Sequence, residues 1–68
     1  MGVTNNLREW RKKRGMTQEE LSAKADVSRT IISGLENGVI STTTTDTILK
    51  LAKALNVSVP KIFFLKEV

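Results

Sequence analysis

The side chains able to bind or transform a ligand are of few kinds. The sequence contains no histidine and no cysteine, and its seven acids are scattered along 68 residues. Without imidazole or thiolate there is no ordinary metal-ligand set, no histidine-activated or cysteine nucleophile, and no disulfide. A glycine-rich phosphate loop is absent too. These gaps argue against an enzyme, and neither a metal nor a cofactor is expected. What remains is recognition chemistry. Eleven Lys and Arg give a net charge of +4, and a basic surface suits an acidic partner, of which nucleic acid is the commonest. The plainer reading is that such a charge simply keeps a small domain in solution.

The elements that must position these groups can be read from apolar spacing. Val3, Leu7 and Trp10 fall at i, i+4 and i+7, which predicts a helix from Thr4 to Arg14 with Arg8, Arg11, Lys12, Lys13 and Arg14 opposite. Trp10 on that stripe reads as core, or else as an exposed stacking platform. Gly15 supplies a left-handed stop. Thr17-Gln18-Glu19-Glu20 has the form of a capping box and opens a second helix to about Ala25, with Leu21 and Ala25 inward. Ser28 is an N-cap signal for a third helix, Arg29 to about Asn37, with Ile32 and Leu35 buried and Gly38 ending it. After a polar loop, Thr44 or Thr45 caps a fourth helix to Leu55, and Asn56 terminates it. Val59-Pro60-Lys61 begins a fifth, since proline suits the first helical turn. Ile62 and Phe63 are expected to return to the core, and residues 64–68 could be extended.

Five short helices and no clear strand make an all-α fold. Two of them are joined by a turn of three or four residues, the pattern of a helix-turn-helix at helices 2 and 3. A single domain over residues 1–68 is expected, of modest stability because so short a chain buries little surface. No segment approaches the roughly 18 apolar residues that cross a bilayer. The opening Met-Gly-Val-Thr-Asn-Asn lacks the apolar run of a secretory leader. With no disulfide, a cytoplasmic location is expected.

The stretch Thr17–Gly38, with TQEEL, VSRT and LENG in order, closely resembles the Cro/phage-repressor family (xenobiotic response element class) of helix-turn-helix regulators. The likeness extends to Leu7–Gly15 and Leu49–Val59, and so covers nearly the whole chain. It implies a compact five-helix, lambda-repressor-like domain that binds double-stranded DNA, with helix 2 crossing the phosphate backbone and helix 3 in the major groove. Carried over, Thr17 and Gln18 sit where a helix N-terminus meets a phosphate; the plainer reading is a cap and a solvated amide. On helix 3, Arg29, Thr30, Ser33 and Gly34 face outward. Arg29 can bond guanine O6 and N7 together, and Thr30 can offer a methyl or a hydroxyl to a base edge. Ser28 caps helix 3 and can touch a phosphate or a thymine methyl, while Asn37 leads the chain back along the backbone. Each is otherwise an ordinary surface residue. Glu36 resembles a family glutamate that pairs with an arginine of the first helix, here Arg11, as a structural ion pair.

Three departures from the family pattern stand out. Gly34 brings no side chain to an outward position and weakens its helix by up to ~1 kcal/mol relative to alanine. Asp26 replaces the usual turn glycine, which aspartate tolerates. Val39, Ile40 and several threonines stand where many relatives carry Lys or Arg, so a shallower salt dependence is expected. Ile62, Phe63, Phe64, Leu65 and Val68 exceed what one small core needs, so segment 62–68, with Phe63, Phe64 and Leu65 foremost, is expected to pair two copies. The leading reading is a homodimeric transcriptional repressor with no small-molecule effector domain and no membrane partner. The competing readings are an antitoxin, a restriction–modification controller, or a protein-interaction module on the same fold.

Overall fold

The computed structural model describes residues 5–40 and 43–63. Its helices are α1 (Leu7–Lys13), α2 (Gln18–Ala25), α3 (Arg29–Asn37), α4 (Thr45–Leu55) and α5 (Val59–Ile62). The described residues contain no strand, only one isolated antiparallel bridge between Asn5 and Phe63.

The helix boundaries follow local chemistry. Thr17 Oγ1 accepts the Glu20 N–H at 3.0 Å and Glu20 Oε1 accepts the Thr17 N–H at 2.8 Å, so the capping box is complete. Ser28 Oγ accepts the Thr30 N–H at 3.1 Å, and Thr44 Oγ1 accepts that of Thr47 at 3.2 Å. Gly15 and Gly38 take left-handed φ values of 70° and 85°; Asp26 and Asn56 do so at 57° and 59°. At Asp26 the turn is locked, because Ser22 Oγ donates to the Val27 carbonyl at 2.6 Å and the Val27 N–H returns to the Ser22 carbonyl at 3.2 Å.

Helix α1 begins at Leu7 rather than at Thr4, which lies outside the described residues, as does Val3. Asn5 is drawn out to bridge Phe63, and its Oδ1 accepts the Leu7 N–H at 3.0 Å. The same side chain is buried and donates Nδ2 to the Leu35 carbonyl at 3.0 Å. Trp10 is half-buried against the core, with Nε1 donating to the Lys61 carbonyl at 3.1 Å and its ring facing the Lys13 and Arg14 cations.

Leu7, Leu21, Ile32, Leu35, Leu51, Leu55 and Ile62 form the fully buried centre. Helix α2 packs chiefly on α4 and α3, α1 on α3, and α4 on α5. Arg14, just past α1, donates Nε to the Leu55 carbonyl at 2.7 Å, placing a cation at the negative end of α4. This frame fixes α2 against α3 and leaves Thr17, Ser28, Arg29, Thr30 and Asn37 in solvent.

Candidate nucleic-acid interface

The outward side of α3 and the start of α2 together form an open concavity of about 410 Å³. Its lining holds five of the candidate contact residues, Gln18, Arg29, Thr30, Ser33 and Asn37, together with Gly34, Val39 and Ile40. Arg29, Thr30 and Asn37 are exposed, while Gln18 and Ser33 are half-buried. Thr17 and Ser28 are exposed N-caps one residue before Gln18 and Arg29. Both helix starts therefore open beside the concavity, where unpaired backbone N–H groups and the helix dipole favour an anion.

Beneath this face lies a buried ion pair. The Glu36 side chain is fully buried and that of Arg11 is 11% exposed. Arg11 Nε and Nη2 donate to Glu36 Oε2 and Oε1 at 2.6 and 3.0 Å, and Arg11 Nη1 donates to the Met16 carbonyl at 2.7 Å. Gln18 Nε2 and Arg8 Nε reach Glu36 Oε1 at 3.1 and 3.4 Å. Burial by itself would push the Glu36 carboxyl up, but the hydrogen bonds from Arg11, Gln18 and Arg8 outweigh it and hold the group below the usual carboxylate range. The hydrogen bond to Glu36 raises the Arg11 guanidinium, against the burial that lowers it.

Gln18 has a role that its spacing did not reveal. Its Nε2 is committed to Glu36, which turns its Oε1 toward Arg29, whose Nε lies 3.5 Å away. Arg29 Nη1 also stands 3.5 Å from Glu19 Oε2. A glutamine between a buried acid and an exposed arginine is unremarkable in sequence, because the three positions meet only once α2 and α3 are packed.

Gly34 sits on the outward side of α3, as its spacing predicts, yet it is buried rather than exposed. A Cβ there would lie 2.5 Å from Ile40 Cδ1 and 2.7 Å from Ile40 Cγ1, so the loop after α3 closes over the glycine. The Ile40 N–H bonds the Gly34 carbonyl at 2.9 Å. At the other end of the chain, Ile62 is fully buried and Phe63 half-buried against the same core; Phe64 and Leu65 lie outside the described residues. Among the described residues no group of acids is arranged to hold a metal ion, and no helix is long and apolar enough to cross a membrane.

A family model described as helix-turn-helix matches residues 7–62. The restriction-modification controller protein C.AhdI from Aeromonas hydrophila superposes with a TM-score of 0.76 at 34% identity, covering 82% of this chain and 83% of that one. The N-terminal DNA binding domain of SinR from Bacillus subtilis gives 0.77 at 28% identity, covering 79% and 78%. SinR, the master regulator for biofilm formation, in complex with DNA also gives 0.77 at 28%, covering 79% and 86%. No match is found among curated protein sequences.

Proposed function

Since this chain belongs to the helix-turn-helix family of DNA-binding transcriptional regulators, we propose that it acts as a homodimeric repressor that lays α3 in the major groove of double-stranded DNA. The observation that carries the reading is the shared concavity. Hydrogen-bonding side chains from two helices converge on one open face, with both helix starts beside it. Arg29 bonds a guanine edge, and Thr30 and Ser33 meet neighbouring bases. Thr17, Ser28, Asn37 and the backbone N–H of Gln18, whose side-chain amide is committed to Glu36, hold the phosphates on either side. SinR has been captured on DNA, which supports the same docking here.

Ile62 is taken up by the core, so pairing of two copies through Phe63 and the apolar residues after it would set two α3 helices about 34 Å apart on successive turns of the groove. One short helix reads too few base pairs to distinguish a site in a genome. Repression follows from covering promoter DNA, in the cytoplasm and without catalysis. The likeness to C.AhdI favours a second reading, a controller of a restriction–modification system that binds in the same way. Neighbouring genes for an endonuclease and a methyltransferase would select that reading.

The test is selection of bound sites from random duplex DNA, with sedimentation of the free and bound protein. Enrichment of a two-fold symmetric site bound by two chains is expected. Recovery of random sequence, or a monomer on a single half-site, would refute the proposal.

A further inference from the structure

Among the described residues, Val39 is the most exposed large apolar side chain, at 80%. A single exposed valine is ordinary on a protein surface. This one lies on the rim of the concavity that holds Arg29, Thr30, Ser33 and Asn37. Its backbone is also held. Gly38 turns the chain at a left-handed φ of 85°, the Val39 N–H donates to Asn37 Oδ1 at 3.0 Å, and the next residue is clamped over Gly34. The glycine is what lets the loop lie this close to α3, and the closed loop carries Val39 at the C-terminal end of the reading face.

Of the other lining residues, Gly34 and Ile40 pack on each other and the remaining five are polar. Gln18, Arg29, Thr30, Ser33 and Asn37 can all donate or accept hydrogen bonds, whereas valine offers only apolar area. It can neither bond a phosphate nor a base heteroatom. In the major groove the apolar group on a base edge is the 5-methyl of thymine. We propose that Val39 is a specificity-determining residue that packs on a thymine methyl, extending the reading face beyond α3 into the loop that Gly34 and Ile40 hold closed. The proposal rests on the DNA-binding reading above.

Burying one methyl against an apolar surface corresponds to about a fourfold change in affinity. The test uses the full chain and sites it selects from random duplex DNA, re-synthesised with deoxyuridine in place of each thymine in turn. Wild type is expected to lose about fourfold at one position per half-site. Val39→Ala should bind the thymine site about fourfold more weakly and be indifferent to uracil at that position. Arg29→Ala should keep the uracil sensitivity there. Val39 is exposed, so the Val39→Ala protein should keep wild-type helicity by circular dichroism.

Uracil effects of equal size in wild type and Val39→Ala would assign the methyl contact elsewhere, for instance to Thr30, and overturn the inference while leaving the function standing. The absence of any uracil effect would do the same. Failure of the selection to enrich any sequence would sink both.

Discussion

Replacing Glu36 by glutamine probes the buried contact that ties α1 and α2 to α3. The substitution keeps shape and one carbonyl acceptor but removes the charge that faces Arg11 Nε at 2.6 Å. Arg11, only 11% exposed in its side chain, is left as a buried cation with the Met16 carbonyl as its remaining strong partner. Removing one member of a buried pair costs roughly 3–5 kcal/mol. The retained acceptor and the Met16 contact put this case near the lower end, at about 3 kcal/mol. For a domain of this length, each kcal/mol lowers the melting temperature by about 4–8 °C, so a fall of roughly 12–24 °C is expected. Urea and thermal unfolding followed by far-ultraviolet circular dichroism at neutral pH would read it.

The acid limb supplies a second readout. Glu36 is held below its ordinary pKa of 4.5. Its contribution is therefore complete above that value and is lost as pH falls through the folded-state pKa. Wild type and Glu36→Gln should thus differ most at neutral pH and converge as the solution becomes strongly acidic. A loss under about 1 kcal/mol, no more than an exposed pair is worth, or a difference constant across the acid range, would refute the role assigned to the pair.

Arg29→Ala should cost ~1–3 kcal/mol of binding, concentrated at one base position; equal losses on every sequence tested by mobility shift would make Arg29 a phosphate contact instead. Gly34→Ala sets up to ~1 kcal/mol of helix propensity against an overlap with Ile40 that costs ~1–3 kcal/mol. A net loss of about 1 kcal/mol in urea unfolding is expected, turning to a gain in an Ile40→Ala background. Stabilisation by Gly34→Ala alone would show that the loop does not close as described. Thr17→Ala should remove about 1 kcal/mol through the lost cap, and Thr17→Ser should restore most of it. Equal stability of the alanine and serine variants would mean that the capping box is not formed in solution.

The parts of the fold legible in the sequence are those decided within one turn of chain. Thr17 with Glu20, Ser28, Asp26, Gly38 and Asn56 act on neighbours a few residues away, so their types announce their roles. The pairing of Glu36 with Arg11 spans 25 residues, and only the family resemblance implies it, because spacing alone does not connect them. Contacts made only by tertiary packing left no signal: Asn5 on the Leu35 carbonyl, Arg14 on the end of α4, and Gln18 shared between Glu36 and Arg29. Gly34 shows the limit of helical periodicity. The wheel places it on the outward side correctly, but a wheel describes one helix and knows nothing of a loop that folds back across it.

The link from Glu36 through Gln18 to Arg29 bears on how this protein could be retargeted. Transplanting only the outer residues of α3 from another regulator would treat that helix as an interchangeable reading head. Here the head is wired to its chassis. Gln18 on α2 offers its carbonyl to Arg29 because its amide nitrogen is occupied by Glu36. A graft that replaces Arg29 would leave that carbonyl unpaired in the concavity, an acceptor that the design did not specify. The orientation of the side chain at position 29 is therefore set by positions 18 and 36 as well, and libraries that vary α3 alone would sample only part of the arrangement.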